Sequence, residues 1–228
     1  MHVHPELARL LHLVKQLQEQ HFRSTYADLL ASPTYGPAAQ FFLSELYGAR
    51  DFSGRDDQFA RIAGTLTAVF PSDVADTAVI LAELHLLTEE LDMEMARAWP
   101  SAGTSTLTPE ECYVQAWRTV ARPDDRRLQL GKVLNVARSL ARLTRLPGLR
   151  MMLRLMRTPA ERAGLADLQR FLETGFDRFH TLCQTTGALD DFLRVIENRE
   201  STFMQGLFNE APSDVVRRYP KSAMQTAP

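Results

Sequence analysis

Apolar residues recur at three- and four-residue spacing along most of this chain, the period of a helix that buries one face. Leu7, Leu10, Leu11, Val14, Leu17 and Phe22 make the first stripe. They predict a helix from about Pro5 to Leu30, ended by the turn-forming SPTYGP. Pro37 opens a second helix, Ala38 to Tyr47, closed by Gly48 as a left-handed cap. Ser53 with Asp56 three residues on resembles a capping box and predicts a helix from Gly54 to about Val69. Pro71, Ser72 and Asp73 begin a long helix that reaches Trp99.

Pro100 and the Ser, Gly and Thr residues to Thr106 read as a connector, so a subdomain boundary is placed near 100–107. TPEE at Thr108–Glu111 is a strong start signal, and TPAE at Thr158–Glu161 repeats its chemistry. Helices are expected over Pro109–Val120, Asp124–Leu143, Leu149–Arg157, Pro159–Cys183 and Ala188–Phe208. In the last two, the stripes Leu165–Phe179 and Leu189–Leu207 predict a helical hairpin whose members pack on each other, with Gly187 in the turn. Strand signals are nearly absent. The expected fold is all-α, a single domain of eight or nine helices over residues 1–208, with a disordered tail over 209–228.

Composition narrows the function without choosing it. The chain of 228 residues is 45% hydrophobic and 24% charged, with a net charge of −2, which excludes a wholesale polyanion binder. Cys112 and Cys183 lie in helical contexts and read as reduced thiols. No run of about 18 apolar residues occurs, so no membrane span is expected. The N-terminus lacks the pattern of a secretory leader, and a cytoplasmic setting is expected.

Charge is uneven along the chain. Residues 122–162 hold eleven basic and three acidic residues. Arg138, Arg142 and Arg145 form one ridge at i, i+4 and i+7, and Arg150, Arg154 and Arg157 form another. Arginine grips carboxylate or phosphate in a fork, so the ridges suit acidic partners of this fold or of another protein. The same stretch contains no aromatic residue, which argues against nucleic acid.

Enzyme signatures fail, since no phosphate loop, nucleophile elbow, H-E-x-x-H or C-x-x-C is present. In LAELHLLTEELD, His85, Glu89 and Asp92 fall at i, i+4 and i+7, a row that can be read as a metal set or as acid/base residues of a metal-assisted enzyme. TYADLLASPTYGPAAQFFLSELYG, followed by a helix and then LAELHLL, also resembles the succession in globins. That resemblance implies haem or another tetrapyrrole on His85. An apolar ligand between the phenylalanine-rich helices is the metal-free form of the same reading, with His85, Tyr47 and Phe42 as candidate contacts.

FFLSELYGARDFSGRD (Phe41–Asp56), together with LAELHLLTEELD, MRTPAERAGLADLQRFLETGF and the final helix, resembles a family of uncharacterised proteobacterial proteins over about Arg23 to Phe208. The resemblance implies a single-domain bacterial protein and carries no catalytic roles. The reading that follows is a non-enzymatic binding or interaction module, needing no cofactor and acting through a protein partner or a homodimer surface.

Overall fold

A computed structural model of the chain describes residues 5–47, 72–100 and 106–218. The expected caps at Gly48 and Ser53 and the helix Gly54–Val69 lie outside the described residues. Eleven helices occur among those described: α1 Pro5–Thr25, α2 Ala27–Ala31, α3 Gly36–Glu45, α4 Ser72–Arg97, α5 Pro109–Val120 and α6 Pro123–Leu143, then α7 Leu149–Leu155, α8 Arg157–Arg162, α9 Ala166–Cys183, α10 Ala188–Asn209 and α11 Pro212–Arg218. The all-α expectation holds, and no helix among the described residues is long and apolar enough to cross a membrane.

Several boundaries follow from local chemistry. At α5, the Thr108 hydroxyl accepts from the Glu111 amide at 3.2 Å while the Glu111 carboxylate accepts from the Thr108 amide at 2.9 Å, a complete capping box. Pro123 occupies the first turn of α6, where its missing N–H leaves no bond unmade. Between α5 and α6 the chain turns at Ala121, whose φ is 49°.

The second predicted box is a correction. Thr158 lies inside α8, with Met156 as the cap and no side-chain cap bond. Gly164, at φ 71°, then breaks the chain before α9, a conformation open to glycine without a Cβ penalty. One predicted helix becomes two.

The first helix is also divided, at Tyr26. The ring of Tyr26 is wholly buried, and its hydroxyl donates to Glu200 at 2.7 Å, an anchor on α10 that helical periodicity cannot reveal. At the other end, part of the expected tail is ordered as α11, whose Val215 is buried. The two helices of the expected hairpin, α9 and α10, do contact each other across the turn at Gly187, but α9 packs more on α3 and α6, and α10 more on α6. Gly175 permits the approach of α9, since a Cβ there would meet Leu140 Cδ2 at 3.0 Å and Phe41 Cζ at 3.1 Å.

The interior has two apolar clusters. The larger holds Phe41, Phe42, Phe171, Phe179 and Phe192 with the leucines of α4, α6 and α9. The smaller gathers Val14, Met95, Tyr113, Trp117, Leu207 and Val215. Helices α1, α4 and α10 contribute to both, and so tie the two clusters together. Cys112 and Cys183 are free thiols.

Candidate functional site

Where the clusters meet, the wall of α4 turns polar. Leu81, Leu84, His85, Thr88, Glu89 and Asp92 share one face of that helix by their spacing, and all six line a cavity of about 100 Å³. The remaining walls come from α1, α5, α6, α10 and the end of α3.

Asp92 is completely buried. Its Oδ1 accepts from Gln18 Nε2 at 2.7 Å, and among the described residues its Oδ2 has no hydrogen-bond partner. Burial pushes the Asp92 carboxyl up to about 6, against the opposing pull of Arg126, Gln18 and Lys15. Trp117, 7% exposed, likewise has no partner for its indole Nε1. Buried polar groups are nearly always hydrogen-bonded, because leaving one unmade costs about 1–3 kcal/mol. Both residues line the same cavity, while the two atoms themselves are sealed within the packing.

Arg126 is the third unusual group. It is 4% exposed, and its guanidinium carbon stands 4.0 Å from the centroid of the Trp117 ring, a cation–π contact. Its Nη1 donates to Gln129 Oε1 at 3.1 Å and its Nη2 meets Met95 Sδ at 2.9 Å. Among the described residues no carboxylate lies within ion-pair distance of it. Burial lowers its pKa, while Tyr113 and Asp92 favour the charged form.

Other lining groups neutralise each other. Lys15 pairs with Glu89. His21 Nε2 lies 3.2 Å from Glu200, which also accepts from Tyr26, and Thr25 Oγ1 is 3.2 Å from His21 Nδ1. Burial alone would raise the Glu200 carboxyl. The charge and hydrogen bond of His21 and the bond from Tyr26 outweigh it and hold the group below the usual range. Phe203 stacks on His21 with centroids 3.9 Å apart. Gln129 Nε2 donates to Thr88 Oγ1 at 2.8 Å, joining α6 to α4 across the wall. A more open cleft of about 350 Å³ lies beside His21 and Arg199, but neither Asp92 nor Trp117 borders it.

The sequence-derived sites fare differently. His85, Glu89 and Asp92 all line the cavity, as their spacing implies. They are not assembled as metal ligands: Lys15 engages Glu89, Gln18 engages Asp92, and no group of three or more His, Cys, Asp or Glu that could hold a metal occurs among the described residues. Of the apolar-ligand set, His85 and Tyr47 line the cavity. Phe42 does not, being packed in the larger core 6.1 Å from Phe179 and 5.5 Å from Phe192. The cavity, at about 100 Å³, is smaller than the roughly 300–1,000 Å³ of pockets for drug-sized ligands.

The six ridge arginines are all exposed. Arg150 pairs with Asp177 at 2.9 Å and Arg157 with Glu173. Arg138 and Arg142 donate to Asn135 and Ser139 of their own helix.

Sequence reasoning missed Arg126 and Trp117, although a signal existed. Arg126 stands four, seven and eight positions before Leu130, Val133 and Leu134, so it continues the buried stripe of α6. An arginine there must be buried or must end the stripe.

Fold and cavity together define an all-helical protein with a partly open cavity lined by both polar and apolar side chains. The chain belongs to a family described as a domain of unknown function (DUF8198), whose model matches residues 1–214. No curated protein and no solved structure matches it.

Proposed function

We propose that this protein is a binding module that encloses a small polar molecule in the cavity between α1, α4, α5, α6 and α10. The observation that carries this reading is a cavity at the junction of the two apolar clusters whose lining residues include the buried Asp92, Trp117 and Arg126. A molecule that binds there and not to the unfolded chain stabilises the fold by linkage. The absence of the sequence signatures of common enzymes is in keeping with binding rather than turnover.

Native mass spectrometry of the gently purified full chain, with a thermal-shift screen of amino acids, carboxylic acids, amines and nucleobases, tests it. The expected result is a retained small molecule, or a rise in Tm of at least about 3 °C at saturating ligand, consistent with linkage. No retained mass and no stabiliser in any class would sink the proposal.

A second reading keeps a specific observation of its own. On α7, Met151 and Leu155 are 61% and 70% exposed and alternate with Arg150 and Arg154. This mixed basic and apolar strip suits a protein partner or a second copy of the chain. Light scattering should then show a dimer that Arg142→Glu with Arg154→Glu dissociates. A monomer at all concentrations, unchanged by the substitutions, removes the homodimer version.

A further inference from the structure

Helix α7 carries apolar residues on both of its faces. Leu149 and Leu153, 3% and 2% exposed, hold the inner face in the larger cluster. On the outer face Met151 and Leu155 stand one turn apart, 61% and 70% exposed, beside the exposed Arg150 and Arg154. Apolar side chains scattered singly over a surface are ordinary, but a pair on one face among arginines is a surface suited to something less polar than water.

Charge is the second observation. Residues 138–160 hold six arginines and no acidic residue. Residues 122–162 carry +8 in a chain of net −2, so the remainder carries −10. Asp177 and Glu173 of α9 pair with Arg150 and Arg157. Among the described residues, Arg138, Arg142, Arg145 and Arg154 have no carboxylate within ion-pair distance, and all four are exposed. They are spread over α6, the turn that follows it and α7, which suits an extended negative surface better than a single anion.

We infer that this strip docks the protein on an anionic lipid surface, with Met151 and Leu155 entering the headgroup layer and the arginines reaching the phosphates around them. Long arginine stems allow this, since they lie along apolar surface while the guanidinium stays at the polar boundary. Each basic group near a negatively charged leaflet adds to the attraction, and the acidic remainder of the chain turns the opposite side of the molecule away. A protein partner fits less well. Protein interfaces are anchored by aromatic residues seated in pockets, whereas residues 122–162 contain no Phe, Tyr or Trp. The indentation beside the strip, about 30 Å³, lies among the paired arginines and their carboxylates. The inference is independent of the cavity, and it assigns to lipid the strip that the second reading above assigns to protein.

Flotation of the full chain with vesicles of phosphatidylcholine alone, and of phosphatidylcholine with about one-third phosphatidylglycerol, tests it. Binding to the anionic vesicles should be at least about tenfold tighter than to the neutral ones, and should weaken about tenfold or more between roughly 0.05 M and 0.5 M salt. Arg145→Glu with Arg154→Glu should weaken it at least about tenfold. Met151→Ser with Leu155→Ser should weaken it about fivefold and leave its salt dependence in place. All four side chains are exposed, so the variants should fold. Arg9→Glu with Arg194→Glu changes the net charge equally at exposed positions outside the strip, and should weaken binding by less than about threefold.

No binding to the anionic vesicles at low salt, or equal binding to both kinds, overturns the assignment. So does binding that the strip variants leave intact, or that Arg9→Glu with Arg194→Glu weakens as much as they do. A dimer dissociated by Arg142→Glu with Arg154→Glu, in a protein that binds neither vesicle, overturns the lipid assignment and leaves the protein reading standing.

Discussion

Asp92→Asn should make the empty protein more stable at pH 7 and should flatten its stability profile between about pH 4 and pH 6. The folded-state carboxyl titrates near 6 and the unfolded group near 3.8, so between these values the folded protein binds more protons. Stability therefore falls as pH rises through that window. A shift of about two units corresponds to roughly 3 kcal/mol by the linkage constant of 1.36 kcal/mol per unit. Asparagine keeps the acceptor that Gln18 uses, but its amide N–H₂ is also buried, so a net gain of about 1–2 kcal/mol is expected. Urea denaturation of both proteins at pH 4, 5, 6 and 7 is the measurement. An equal slope in both would show that Asp92 is solvated and that its Oδ2 is satisfied.

Glu200→Ala should act in the opposite sense and cost about 3–5 kcal/mol at pH 7, the range for removing one partner of a buried charged pair. Glu200 ties α10 to His21 on α1 and to Tyr26 just past its end, while the neighbouring Arg199 reaches Asp28 in α2 at 2.7 Å. Alanine would leave the buried Tyr26 hydroxyl and His21 Nε2 without this acceptor. The folded pKa of Glu200 is depressed, so its contribution is present above the ordinary glutamate value near 4.5 and is lost as pH falls through the folded value. The two carboxylates therefore act in opposite senses on the pH profile of stability. Glu200→Ala should make the loss of stability in acid shallower, with Asp28 and Glu173 still contributing to it. A cost under about 1 kcal/mol by urea denaturation would show the network to be dispensable.

The helical fold was readable because its apolar stripes are long and its stop signals are strong. The α5 start was legible atom by atom, since Thr108 and Glu111 carry a local mechanism. The reading failed where a distant contact decides the backbone. Tyr26 interrupts the first helix for a partner 174 residues away, and Thr158 has capping chemistry that the surrounding α8 overrides.

The candidate site divides along the same line. The α4 row of His85, Glu89 and Asp92 followed from spacing alone, and all three side chains do line one cavity. Spacing could not show that Lys15 and Gln18, more than 70 residues away, already engage two of them. Nor could it separate Arg126 from the surface arginines that follow, because the basic stretch hid its place on the buried stripe. Phe42 illustrates the converse: aromatic and five positions before Tyr47 in the motif, it belongs to the core.

The corner at Ala121 has a bearing on how the chamber comes to exist. Trp117 lies four residues before it and Arg126 five after, so the stacked pair is built across one tight turn with little loop to close. An alanine at positive φ is held there against a backbone penalty of order 1–3 kcal/mol, which the packing of α5 and α6 must over-determine. Asp92 and its partner Gln18 instead meet across 74 residues of chain. The Trp117–Arg126 wall of the cavity is thus a short-range assembly and the Gln18–Asp92 wall a long-range one, so the cavity is complete only once both kinds of contact have formed.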